Sequence, residues 1–117
     1  MPDFHQDKTR RIDIFARARD SVHWPVLREG VKILVLDEDS DGANRVALLR
    51  YEPGARVPEH HHPGRETIYV LEGCQEDNTG IHPAGTWISN PAGTSHSIFS
   101  PTGCLVLIHW SRPVEFL

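Results

Sequence analysis

Short apolar runs, each cut off by Gly, Pro or an acidic turn, set the rhythm of this chain. Residues 31–36 (VKILVL) are rich in β-branched side chains and bounded by Gly30 and Asp37, which predicts a strand. Lys32 interrupts one face, so that face reaches solvent at its start. Residues 37–42 are acidic and turn-rich. A calcium loop of the EF-hand kind is excluded there, because its later acceptor positions fall on Val46, Leu48 and Leu49. The segment reads as a hairpin loop, from which residues 45–51 (RVALLRY) return as a strand. Further strands are expected at 67–71, closed by Glu72 and Gly73, then at 86–89, 95–100 and 104–110. In the strand at 95–100, His96 and Ile98 share a face. The run 104–110 (CLVLIHW) is apolar enough to be buried on both sides. There His109 shares a face with Leu105 and Leu107 and reads as core or lumen.

Turns fall at 52–54, 76–80, 91–94 and 101–103, each carrying Gly, Pro or Asn where a tight bend needs them. No helix of three turns is expected. Residues 1–20 form an N-terminal arm or edge strand, although 12–19 reads equally as a strand start or a helical turn. His5, His23 and His82 read as surface or structural residues. Pro25 forces Trp24 toward an extended backbone. The last six residues, RPVEFL, are expected on the exterior or against a partner. About eight short strands with regular turn signals define an all-β sandwich or barrel.

Composition narrows the setting. A chain of 117 residues with 38% hydrophobic content suits one domain, residues 1–117, with a self-supporting core. The formal net charge is −4 and no basic run exists, which argues against nucleic acid as a partner. No apolar run approaches the roughly 20 residues of a membrane span. The N-terminal residues lack the apolar stretch of a secretion signal. A cytoplasmic protein is therefore expected, with Cys74 and Cys104 as reduced core residues rather than a disulfide or zinc pair.

Eight histidines are the outlier. His60 and His62 alternate along one extended segment, so they share a face while His61 points away. Pro63-Gly64 supplies a turn, after which Glu66 opens the next strand and points back at the same place. A second block, residues 85–100, repeats the pattern of strand, Pro-x-Gly turn and one histidine, His96. Three imidazoles and one carboxylate make a four-ligand metal site.

These blocks resemble the two cupin motifs. Gly54, His60, His62, Glu66 and Gly73 fit the first at every position. Gly85, Pro91, Gly93 and His96 fit the second, with Ser100 in place of its final Asn, which is not a metal ligand in that family. The resemblance implies a double-stranded β-helix, the jelly-roll cupin barrel. It implies one divalent metal per chain (Fe, Zn, Ni, Mn or Co) on His60, His62, Glu66 and His96. Over residues 22–110 the chain is similar to the cupin domain of ChrR-type anti-sigma factors and to small acetylacetone-cleaving oxygenases. No His/Cys cluster matches the separate zinc domain of the anti-sigma proteins, so anti-sigma activity itself is not expected. Thr67 stands where those relatives commonly carry a second acidic residue.

Two functions follow from the resemblance. One is a metal-dependent dioxygenase acting on a small dicarbonyl-type compound, with Arg56, Tyr69, Trp87 and His109 as candidates around the metal. The other is a non-catalytic metal or small-molecule sensing module. A homodimer is expected, paired through the N-terminal arm and the apolar strand at 104–110.

Overall fold

A computed structural model describes residues 9–117. Of the segment 12–19, which reads equally as a strand start or a helical turn, residues Ile14–Ala18 form a short helix, α1. Asp13 decides this, because its carboxylate accepts the backbone N–H of Ala16 at 3.0 Å and caps the first turn. His5 lies outside the described residues. A single 3-10 turn, Ser21–His23, follows, and Trp24 is extended at φ −70, ψ 150, as Pro25 requires.

Ten strands follow among the described residues: β1 (Val26–Arg28), β2 (Val31–Glu38), β3 (Arg45–Tyr51), β4 (Ala55–His61), β5 (Glu66–Asp77), β6 (Gly80–Pro83), β7 (Trp87–Asn90), β8 (Ser95–Ser100), β9 (Cys104–Trp110) and β10 (Glu115–Phe116). They pair antiparallel in the order β1-β2-β3-β9-β5-β8-β4-β10, with β6 and β7 also on β5. The sheet curls into two facing layers, and the fold is the all-β cupin jelly roll.

One strand joins the layers. Gly73 does not close its strand as expected. β5 runs on for 12 residues, pairing with β9 and β7 in its first half and with β6 and β8 in its second. The change of layer falls at a register shift between Val70 and Glu72, followed by Gly73 at φ +75. A Cβ at position 73 would collide with the Gly103 carbonyl and lie 2.9 Å from the Cys104 Cα, so the strand can bend there only as glycine.

Alternation sorts the side chains into two apolar clusters. Val31, Ile33, Ala47, Leu49, Val106 and Ile108 face inward and meet Val57, Ile68 and Ile98 between the layers. Leu48 and Leu105 face the other way and are covered by Ala18 and Trp24, with Ile12 and Ile14 packed beside them. His109 therefore sits on the outer face with Leu107, bonded to Asn44, and not in the lumen.

One further expectation changes and another is refined. β9 is flanked by β3 and β5 along its whole length, so it offers no free edge for a partner; among the described residues the edge strands are β1 and β7 in one layer and β6 and β10 in the other. The C-terminal residues, expected on the exterior or against a partner, are largely exposed but also join the sheet. Glu115 and Phe116 pair with His61 and His60 of β4, and Pro113, Val114 and Phe116 close over the mouth of the barrel. No helix among the described residues is long and apolar enough to cross a membrane.

Candidate metal centre

β4 and the residue that follows it bring His60 and His62 to the interior, β5 begins with Glu66, and β8 contributes His96 directly opposite His60. All four are buried, between 1% and 5% exposed. One potential ligand atom from each lies within 4.8 Å of all the others, so the four could hold a metal ion. Glu66 Oε1 is 3.3 Å from His62 Nε2 and 3.5 Å from His96 Nε2. The three imidazole rings meet edge to face, with centroids 4.5–5.1 Å apart.

The surrounding hydrogen bonds set which ring nitrogen faces the centre. His60 Nδ1 lies 2.9 Å from the Pro58 carbonyl, which can only accept, so Nδ1 carries the proton. Thr94 Oγ1 donates to the Pro91 carbonyl at 2.7 Å and is left to accept from His62 Nδ1 at 3.0 Å. Both rings thus present an Nε2 lone pair inward. His62 Nε2 and His96 Nε2 are buried with no hydrogen-bond partner. A buried acceptor left unpaired is costly, and a cation between these atoms would satisfy both.

Glu66 is fixed by two donors. Trp110 Nε1 donates to Oε2 at 2.7 Å and Asn90 Nδ2 to Oε1 at 3.1 Å. Burial pushes its carboxyl upward, but the adjacent His62, then His96 and the Trp110 donor, outweigh it and hold it below the ordinary value. Burial depresses His96 to about 4; Glu66 opposes this, and repulsion from His60 and His62 adds to it. A neutral His96 beside an ionised Glu66 is the state a metal ion needs.

Behind His96 lies a group that sequence reasoning missed. Asp77 Oδ2 is 3.7 Å from His96 Nδ1, while Asp77 Oδ1 meets His82 Nε2 at 3.0 Å and Thr79 Oγ1 at 2.6 Å. His82 is thus a strand residue tied to the site's outer shell, not a loop residue. Conversely, the four expected neighbours of the metal do not surround it. Tyr69 and Trp87 pair across β5 and β7 with 44% and 65% exposure, Arg56 stacks on Phe99, and His109 is on the outer face.

The centre opens on a cavity of about 250 Å³. His60, Glu66 and His96 contribute to its wall, and Ile33, Leu49, Val57, Ile68, Ile98 and Ile108 make the rest of it apolar. Tyr51 and Trp110 project into it, and Arg28 and Arg45 stand in its lining. Burial drives the Tyr51 phenol well above its ordinary value, so it stays protonated.

Known proteins resemble this chain to differing depth. The anti-sigma-E factor ChrR of Cereibacter sphaeroides is 30% identical over 107 residues, which is 89% of this chain and 49% of that protein. The chain thus spans about half the length of this curated relative. The crystal structure of Rhodobacter sphaeroides SigE with the anti-sigma ChrR aligns at TM-score 0.67 and 28% identity, covering 78% of this chain and 49% of that one. An acetylacetone dioxygenase from Acinetobacter johnsonii aligns at TM-score 0.70 and 18% identity, over 75% of this chain and 64% of that one, a likeness of fold alone. The family model of the ChrR cupin-like domain matches residues 14–114, and the chain belongs to that family.

Proposed function

We propose that His60, His62, Glu66 and His96 hold one divalent metal ion per chain, and that the protein is a metal-dependent dioxygenase of a small dicarbonyl-type compound. The observation that carries this reading is the meeting of unpaired imidazole nitrogens and a fixed carboxylate at the wall of an apolar cavity. The absence of cysteine from the donor set disfavours a closed structural zinc site. It suits Fe, Zn, Ni, Mn or Co. Bound there, the ion would supply Lewis acidity toward an oxygen-bearing ligand and, as iron, redox chemistry with O₂.

The chain's own residues hold and shield the reactants. Trp110 and Asn90 keep Glu66 aimed at the centre, Thr94 and Pro58 fix two imidazoles, and the aliphatic wall excludes water. In the overall reaction a 1,3-dicarbonyl and O₂ become a carboxylic acid and a 1,2-dicarbonyl, one oxygen atom passing to each fragment. Iron(II)-loaded protein is expected to consume O₂ with 1,3-dicarbonyl compounds, and His62→Ala to abolish this. Stoichiometric metal with no uptake across such a panel would refute the enzymatic reading.

A second reading is favoured by the identity to an anti-sigma factor. In it, the same cavity binds metal or a small molecule and signals to a partner without turnover. Ligand binding that changes the oligomeric state with no product formed would establish it. We further propose that the protein is cytoplasmic and forms a homodimer joined through an exposed edge strand, one of β1, β6, β7 or β10. Sedimentation equilibrium tests the dimer.

A further inference from the structure

The charges in the cavity do not balance. Glu66, Arg28 and Arg45 are the carboxylate and guanidinium groups in its lining. Arg45 is neutralised by Glu38, whose Oε2 accepts from its Nε at 2.9 Å. Glu66 is committed to the metal centre. Arg28 has no ion pair or hydrogen bond among the described residues. Its guanidinium lies over the ring of Phe116, 5.1 Å from the centroid, and the same ring is 5.6 Å from that of His60. One phenyl ring therefore contacts both an unpaired cation and a histidine of the candidate metal centre. Tyr51 adds a protonated hydroxyl that no hydrogen bond engages among the described residues.

A divalent ion on Glu66 would leave the cavity with excess positive charge beside apolar walls. Uncompensated charge in such surroundings is costly, and an anionic ligand relieves it. Guanidinium pairs with carboxylate through two parallel N–H···O bonds, a geometry Arg28 has free. The stacked Phe116 ring holds the fork in place without using its donors. A cavity of about 250 Å³ is smaller than the roughly 300–1,000 Å³ of drug-sized sites, so the ligand is a compact one.

Resting on the metal-site reading above, we propose that the cavity takes a small carboxylate-bearing oxygenated compound of the 2,4-dioxo acid type, its carboxylate on Arg28 and its carbonyl oxygens toward His60, Glu66, His96 and the Tyr51 hydroxyl. Arg28 is then a specificity-determining residue.

The test uses the full chain loaded with zinc, which has no redox chemistry and so isolates binding. Calorimetry compares 2,4-dioxopentanoate with acetylacetone, which lacks the carboxylate. The acid is expected to bind about 10–100-fold tighter, the range of one charged hydrogen-bonded pair. Arg28→Met should remove that preference while zinc stoichiometry stays at one per chain. Arg28→Lys, which keeps the charge and loses the fork, should retain part of it and so separate recognition from damage. Equal affinities in the wild type, or a preference that survives Arg28→Met, overturn the proposal. Acetylacetone binding without such a preference overturns this proposal alone. Zinc held with neither compound bound overturns the proposed function as well.

Discussion

The two apolar clusters of this molecule are made by the same strands and put to opposite use. β3 and β9 send Ala47, Leu49, Val106 and Ile108 inward and Leu48 and Leu105 outward. On the outer face α1 and Trp24 fill the space above Leu48 and Leu105, both 0% exposed. On the inner face the layers leave a cavity, and its polar end collects three imidazoles and a carboxylate. A close-packed face stabilises and an unfilled one binds. Each face should therefore respond to damage in its own currency.

The comparison is broken most severely by removing a ligand. Four-ligand zinc sites bind with about 10–16 kcal/mol, or roughly 3 kcal/mol per ligand and more than a hundredfold in affinity. His62→Ala should lose at least that in competition with a chromophoric chelator, with little cost to metal-free stability. Leu48→Ala is the converse. It should cost about 2–5 kcal/mol in urea unfolding and leave metal affinity unchanged.

Acid should weaken the metal-free protein through the inner face. His96 titrates near 4 when folded against 6.5 unfolded, so the unfolded chain takes up the proton first as pH falls. Stability is then full above pH 6.5 and declines toward pH 4, by a total of about 3 kcal/mol at 1.36 kcal/mol per unit. Glu66, held low, adds a loss only below its ordinary 4.5. Urea midpoints between pH 7.5 and 4 check this, and saturating zinc should raise the whole curve while keeping or steepening its slope, because bound ligands stay deprotonated in the folded state.

A finer distinction lies behind the ligands. Asp77→Asn should weaken metal binding about 10–100-fold by loosening His96, as loss of a carboxylate partner to a ligating histidine does. The smallest effects belong to the outer surface. Trp87→Ala and His109→Gln should change metal affinity not at all and stability by within about 0.5 kcal/mol, in the same two assays.

The four-residue cluster was legible in the sequence because each member sits in a local pattern. Period-two alternation puts His60 and His62 on one face, and Pro-Gly turns return Glu66 and His96 toward them. Alternation also paired His109 correctly with Leu105 and Leu107. It does not say which of two apolar faces is the inside, and here that face is the outer one. The residues around the metal were illegible for a related reason. Asp77 reaches His96 from 19 positions away only because β5 bends at Gly73 and continues into the second layer. Arg28 and Phe116 approach each other from near opposite ends of the chain, with no local signature of either contact.

That unbroken β5 has one more consequence. It carries Glu66 at its first position and Asp77 at its last, on either side of His96. Strand pairing tolerates no shift of one residue without turning every side chain to the opposite wall. A slipped β5 would withdraw both acids from the same imidazole at once. On the proposed metal reading, a cation would bind only the chain whose longest strand has paired in the right frame, and so would favour that frame over slipped ones.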